Sequence, residues 1–459
     1  MKRVAFLSFD WDYKIVSDYY LGLQDHLKDC EGVQAVIFNA FGRYYVSHQP
    51  QESTFEIFSL FDPEDYDGVI IQGNRSWPPE VRQELVDKVT ALGKPVVSIN
   101  YDLQGAHSVG TNNYQEEYEL VYRVLRDRGC KKPAFVNGLK TSVEAQDRAR
   151  AYRDACSRLG IADARFYQAN WQLEAGMVTA KKMLRKPNDL PDIVFCCNDD
   201  LAVGVQETLQ DAGIRVPADI MITGFDNRVI SQRTSPRITT VDRDYRTIAA
   251  TALDMLLQLM AGKDLPSPAY SPAKYIFAES CGYPAKANTE QVNARNASDT
   301  ELERFFEVLG DFQSVVLGSE SLYTILENCE MFARKIECPN VYLTLDDTYL
   351  HQGNPGGANT YGPVCHLMAR KGRTAIMRCN DDHVYESYPT ERILPPEDSG
   401  DAAVYMVNPL RYNDACIGTV VTEGVPKCMR YGFNAFFLTV LSSAIVAARK
   451  TELLQSAME

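Results

Sequence analysis

The sequence predicts an α/β protein: two doubly wound parallel-sheet lobes followed by a smaller α+β domain. Three observations predict it. From residue 1 to about residue 281, short apolar runs alternate with stretches of helical spacing. The runs are almost continuously apolar, as strands buried on both faces must be. Beyond residue 301 the order changes to helices first, then closely spaced strands, then one long helix.

The first strand is read at residues 4–9, a helix at 17–28, and strands at 33–38 and 68–73. Helical spacing over 81–92 is stopped by Gly93-Lys94-Pro95, because glycine and proline end helices. The strand Val96-Val97-Ser98-Ile99 follows. The alternation continues with helices at 114–126, 143–159, 174–184 and 202–212, and strands at 133–137, 193–197 and 220–224. Such alternation implies parallel sheets covered by helices, and this many elements imply two sheets. Residues 288–300 are polar and aperiodic, the character of a linker. Helices are then read at 302–317 and 321–335, strands at 340–345, 374–378, 403–408 and 417–423, and a closing helix at 434–454.

Bulk properties exclude several classes. A chain of 459 residues is too long for one core. Its net charge of -14 opposes a DNA-binding surface, which should be basic. No apolar stretch approaches the roughly 18 to 20 residues that span a bilayer, and the first residues lack a signal-peptide pattern, so a cytoplasmic protein without membrane contact is expected. Twelve cysteines without a Cys-x-x-Cys pair point to reduced thiols, not to disulfides or zinc. His351 and His383 lack metal-ligand spacing, and Cys365-His366 could invite haem or a bilin, but a lone Cys-His pair is far more often incidental. No metal or cofactor is therefore expected. Phosphate-cradling and nucleophile-elbow motifs are absent. Asp199-Asp200 and Asp346-Asp347 are carboxylate pairs available to a hydrolase. Neighbours on a strand face opposite sides, and an enzyme acting on a small polar metabolite stands as the alternative to a binding protein.

In doubly wound sheets, ligands sit beyond the carboxyl ends of the strands. Those loops carry Asp10-Trp11-Asp12-Tyr13, Gly73-Asn74-Arg75-Ser76-Trp77, Asn100-Tyr101-Asp102, Asn170-Trp171, Asn198-Asp199-Asp200 and Gly224-Phe225-Asp226-Asn227. Aromatic faces stack on apolar ring faces, while carboxylates, amides and guanidinium groups make directed hydrogen bonds. Taken singly, each Asp or Asn is equally a turn former or helix cap, and Trp171 alone reads as a packing residue sooner than as a ligand platform.

The phrases Asp67-Gly68-Val69-Ile70-Ile71, Lys94-Pro95-Val96-Val97-Ser98-Ile99, Ser108-Val109-Gly110-Thr111-Asn112-Asn113, Asn198-Asp199-Asp200-Leu201-Ala202-Val203-Gly204, Ile222-Thr223-Gly224-Phe225-Asp226-Asn227 and Ser235-Pro236-Arg237-Ile238-Thr239-Thr240-Val241 fall in a characteristic order. In this, nearly all of residues 1–283 resembles the periplasmic-binding-like effector domain of the LacI/GalR family. The resemblance implies two lobes, about 1–108 with 238–264 and 109–237 with 265–284. They would be joined by crossovers near Ser108, Pro236 and Leu265 and close around a sugar-like or other small polar ligand. It assigns Arg148, ahead of Ala151-Tyr152, to ligand hydroxyls or a carboxylate, and Asp226 to a ligand hydroxyl. Asn198 becomes a polar contact, Trp171 a stacking platform, and Asp12 and Tyr13 a closing loop. The family's arginine after the fourth strand is replaced here by Asn100-Tyr101-Asp102-Leu103. Val4 already belongs to the first core strand, so this segment is not expected to bind DNA by itself.

After a linker at 285–300, residues 301–459 resemble a GAF domain, through Val341-Tyr342-Leu343-Thr344-Leu345, Tyr405-Met406-Val407-Asn408-Pro409-Leu410 and Ile417-Gly418-Thr419-Val420-Val421. Together the resemblances imply a non-enzymatic sensor that relays lobe closure to an output, either transcription regulation or a diguanylate cyclase in a longer chain. Phe437, Leu441, Ala444, Ala448, Thr451 and Leu454 recur at steps of three and four on the closing helix. That stripe serves a homodimer seam or the domain's own sheet.

Overall fold

Apolar runs that are buried on both faces pair as parallel strands, and the computed structural model orders them into two units. It describes residues 1–9, 13–40, 56–72, 77, 79–284, 304–319, 321, 324–325, 328, 340–346, 373–378, 386–388, 404–412, 415–423 and 433–458. Asp12, the loop at 73–76, the linker at 285–300, the Cys365-His366 pair, His351 and His383 lie outside the described residues.

The first unit comprises Met1–Gly110, Tyr245–Ala269 and Glu290–Glu459. Strands β1 (Lys2–Ser8), β2 (Val33–Asn39), β3 (Gly68–Gln72), β4 (Val96–Ile99) and β5 (His107–Gly110) form a parallel array in the order β5-β4-β3-β1-β2. Helices α1 (Tyr13–Leu27) and α8 (Tyr245–Met260) cover one face around Phe6, Tyr19, Ile70 and Leu253. Helix α2 (Pro79–Thr90) covers the other, around Phe38, Val69, Trp77 and Val86. Gly22 lets α1 approach α8, since a Cβ there would lie 2.1 Å from the Arg246 carbonyl oxygen.

The second unit comprises Thr111–Asp244 and Tyr270–Thr289. Its four parallel strands run in the order β7 (Arg165–Gln168), β6 (Pro133–Asn137), β8 (Ile193–Cys196), β9 (Met221–Thr223). Helices α3 (Asn113–Arg128), α4 (Val143–Arg158), α5 (Leu173–Met183), α6 (Asp199–Asp211) and the short α7 (Val229–Arg233) follow the intervening loops. Asn112 caps α3 by accepting from the Gln115 N–H, and Gly129, at a φ of 66°, ends it, a left-handed stop that glycine favours.

The chain leaves the second unit after Asp244, not near Pro236 as the sequence reading has it. The intervening residues are held there. The Thr239 N–H bonds to Ser280 Oγ, Thr240 Oγ1 bonds to Asp199, and β10 (Thr240–Asp242) pairs with β12 (Lys274–Ile276).

Residues 340–423 contribute β13 (Asn340–Asp346), β14 (Arg373–Arg378), β15 (Glu386–Tyr388), β16 (Val404–Tyr412) and β17 (Ala415–Glu423), paired antiparallel as β16-β17-β13-β14-β15. Local sequence pattern did not foretell where this ribbon goes. β16 pairs in parallel with β2, Val404 opposite Ala35 through Val407 opposite Phe38, so the two sheets are one. Tyr405 and Val407 enter the core on the α2 face, and Val404 and Met406 the core on the α1 face. A closing helix, α9 (Phe433–Met458), packs Phe437, Leu441, Ala444 and Ala448 against Leu343, Leu410 and Val420, together with Phe305, Phe312 and Val316 of a helix at 304–317. Further along the same stripe Leu454 is exposed.

The β2–β16 seam makes the first lobe depend on the far end of the chain. In a fragment ending at residue 284, hydrogen exchange should show faster exchange of the Val33–Asn39 amides than in the full chain. In the full chain Tyr405→Ala should cost about 3 kcal/mol or more by denaturant unfolding, since it empties a buried aromatic site.

Candidate ligand site in the second unit

Three loops at the carboxyl ends of the second unit's strands, together with the first turns of α3 and α4, converge on one guanidinium. Arg148 lies on α4, 1 % exposed. A full charge there is tolerable only if it is held. Its Nε and Nη2 both donate to Asn113 Oδ1, at 3.1 and 2.7 Å, and its Nη1 donates to the Cys197 carbonyl oxygen. The plane stacks on Phe225, 3.6 Å from the ring centroid.

Asp226 follows β9 in a left-handed conformation, φ 104°, and Asn227 continues it at 50°. Such backbone is unusual for residues other than glycine and concentrates at functional sites. It is fixed by the Asp226 N–H bonding to the Val241 carbonyl at 2.8 Å. The result aims Asp226 Oδ1 between two arginines, 3.7 Å from Arg148 Nη2 and 3.8 Å from Arg243 Nη1. This oxygen is buried and accepts no hydrogen bond. Burial raises the Asp226 pKa, and the two guanidinium groups oppose that rise. Arg243 is held by Glu144 Oε1 at 3.0 Å and Thr111 Oγ1 at 3.3 Å.

Trp171 sits beside this group, its ring centroid 5.9 Å from the Arg148 guanidinium carbon. Its six-membered ring lies against Gly138, where an added Cβ would come within 2.7 Å. Its indole Nε1 is buried and donates to nothing. Asn198 is engaged at both ends of its amide: Oδ1 caps α6 by accepting from the Leu201 N–H at 3.0 Å, and Nδ2 donates to the Trp171 carbonyl at 3.0 Å. In this geometry it positions the tryptophan loop. The neighbouring Asp199 is fully buried, accepting from Thr240 Oγ1, Ser231 Oγ and the Arg228 N–H. Burial pushes its carboxyl up to about 7 despite those bonds. Gly224 is obligatory beside it, because a Cβ would lie 2.2 Å from Asp199 Oδ1. Asp199 and Asp200 open a helix, and Arg228 pairs with Asp200.

Of the residues expected from sequence, Arg148, Trp171, Asn198 and Asp226 thus lie in one neighbourhood. Tyr13 is the first residue of α1 in the other unit, and Asp12 is not described. Two participants escaped the sequence reading. Arg243 stands in a run of charged residues, Asp242-Arg243-Asp244, that reads as surface. Glu117 stands in Gln115-Glu116-Glu117, equally hydrophilic to the eye. A signal existed for Glu117: it precedes Leu120, Val121 and Val124 at helical steps, on the buried stripe of α3. It is fully buried, and neither carboxyl oxygen has a hydrogen-bond partner. Among the described residues, no cluster of acidic, His or Cys side chains could hold a metal ion.

Burial pushes the Glu117 carboxyl up to about 8, while Arg148 pulls it down and Asp226 adds to the rise. The unfolded chain releases this proton near 4.5, the folded chain near 8. Between those values only the folded state carries the proton, so this group's contribution to stability falls as pH rises through the window. Glu117→Gln should flatten that slope and raise stability at pH 8 by on the order of 4 kcal/mol. Denaturant unfolding of both proteins between pH 5 and pH 9 measures it, and parallel pH profiles would contradict the assignment.

Comparison with known proteins agrees with this architecture. Residues 122–281 match the periplasmic binding protein-like domain family. The chain is 26 % identical over 239 residues to the HTH-type transcriptional regulator GalR of Streptococcus thermophilus, covering 49 % of this chain and 70 % of that one. It is 25 % identical over 239 residues to the HTH-type transcriptional repressor PurR of Vibrio cholerae serotype O1 (strain M66-2), covering 51 % and 67 %. Among solved structures, a LacI transcriptional regulator from a Rhodococcus species aligns with a TM-score of 0.50 at 19 % identity, over 60 % of this chain and 97 % of that one. Residues 122–281 thus match a periplasmic binding protein-like domain, and the chain is similar to transcriptional regulators of the LacI/GalR type.

Proposed function

We propose that the chain is a non-enzymatic sensor whose second unit binds a sugar-like or other small polar ligand. The observation that carries this reading is Asp226 Oδ1, buried and without a hydrogen bond at 3.7 and 3.8 Å from two guanidinium groups. A ligand hydroxyl donating to that oxygen would satisfy it, while Trp171 offers an aromatic face to an apolar ring face. The relatives are by name a transcriptional regulator and a transcriptional repressor, which supports a regulatory role. The enzyme alternative draws its support from the paired carboxylates, yet Asp199 is bound on both oxygens and Asp200 pairs with Arg228.

The test is a thermal-shift screen of sugars, nucleosides and small acids, since a ligand that binds the native state raises the unfolding midpoint. For any ligand found, Asp226→Ala should weaken binding by about 1 to 3 kcal/mol. Unchanged affinity would remove Asp226 from the site, and release of a product would favour the enzyme.

The C-terminal residues act in this proposal as a GAF-like relay toward an output module of transcriptional or diguanylate cyclase type. The reading is supported by the antiparallel ribbon and by α9, whose first turns pack on the sheet while Leu454 and Met458 are exposed. Those exposed residues would form the seam of a homodimer. Sedimentation should give a dimer at micromolar concentration for the full chain and a monomer for Leu454→Glu. A monomeric parent would eliminate the relay.

A further inference from the structure

We propose that Arg82 is an oxyanion receptor, binding the carboxylate or phosphate of a small molecule where α2 begins beside the carboxyl end of β4. Three arginines of the described residues are buried. Arg148 is held by Asn113 and the Cys197 carbonyl, and Arg243 by Glu144 and Thr111. Arg82 is only 7 % exposed, yet its Nε and Nη1 are buried without a hydrogen-bond partner. Among the described residues its support is the Tyr101 ring, 4.6 Å below the guanidinium.

A buried guanidinium without an acceptor is costly, and that cost persists only where something offsets it. Burial indeed shifts Arg82 toward its neutral form, opposed by Tyr101 and Glu80. Glu80 is exposed, and among the described residues no carboxylate is bonded to the Arg82 Nε or Nη1.

The surroundings suit an anion. Helix α2 begins at Pro79, so Arg82 lies in its first turn. Helical side chains lean toward the amino end, which carries the guanidinium back along that turn. There the N–H groups of Glu80 and Val81 come before the first i→i−4 bond of the helix, and the dipole is positive. Tyr101 lies just past Ile99, the last residue of β4, and the carboxyl end of a parallel strand is where this architecture places ligands. A planar guanidinium beside a helix start matches the paired oxygens of a carboxylate or phosphate. The inference concerns the first unit and does not rest on the Asp226 reading, because Asp226→Ala leaves Arg82 and Tyr101 in place.

The test compares unfolding midpoints of the full chain in sodium phosphate, sodium acetate and sodium chloride at equal ionic strength and pH. Phosphate or acetate should raise the parent's midpoint over chloride by about 2 to 4 °C once it exceeds its Kd several-fold. The anion with the larger increment distinguishes phosphate from carboxylate recognition. Arg82→Met should lose the increment, and its midpoint in chloride should equal or exceed the parent's, because an unpaired buried charge has gone. A structural arginine would do the reverse and lower the chloride midpoint. Arg82→Lys, which keeps the charge without the planar fork, should show a reduced increment and serves if the methionine variant does not fold. Equal increments in parent and variants, the signature of general exclusion of these anions from protein surface, would overturn the proposal. So would a parent that responds to neither anion.

Discussion

A charge withdrawn from water must be met by something inside, and this requirement organises the second unit. Arg148 is almost wholly buried, and its donors are taken up by the start of α3 and the end of β8, with Phe225 beneath it. Those three places are the carboxyl ends of the sheet and the helix starts that follow. Holding the guanidinium therefore holds the loops. Glu117, behind it on α3, stays compatible with the arrangement by remaining protonated, since a second buried carboxylate would compete with Asp226 for the same arginine.

The other unit solves a different problem. A parallel sheet leaves an unpaired edge unless something covers it. β2 is that edge, and β16 occupies it over the register from Ala35 to Phe38. The added strand is not a surface patch, because its side chains enter both cores of the lobe. The C-terminal ribbon is thus part of the lobe's own sheet, where the change in element order, the polar linker and the GAF resemblance had led to the expectation of a separate domain over 301–459.

What could be read from the residues follows from what is local. Runs such as Val69-Ile70-Ile71 and Ile193-Val194-Phe195 announced buried strands. β7 did not, because it is an edge strand with only alternate residues tucked in, and its Arg165 pairs outward with Asp163 and Asp189. β10 is three residues long and takes its conformation from its partners. Family resemblance named Arg148, Trp171 and Asp226 as expected contacts, and the fold brings these three side chains near one another. Asn198 was legible as a polar strand-end residue, although both ends of its amide serve the fold. Arg243 and Glu117 were hidden by hydrophilic neighbours, and the pairing of β16 with β2 leaves no trace in any local window, because register between distant strands is set by tertiary packing.

The β2–β16 seam also sets an order of events during synthesis. β2 leaves the ribosome early, whereas β16 follows several hundred residues later. At about 5 to 20 residues per second the interval is tens of seconds. Throughout it, half of the peptide groups along Val33–Asn39 face outward from an apolar strand. Nascent chains on neighbouring ribosomes expose the same edge at the same stage. The lobe whose sequence is made first is the one whose sheet is finished last, and its yield in a cell depends on how well that edge is shielded while it waits.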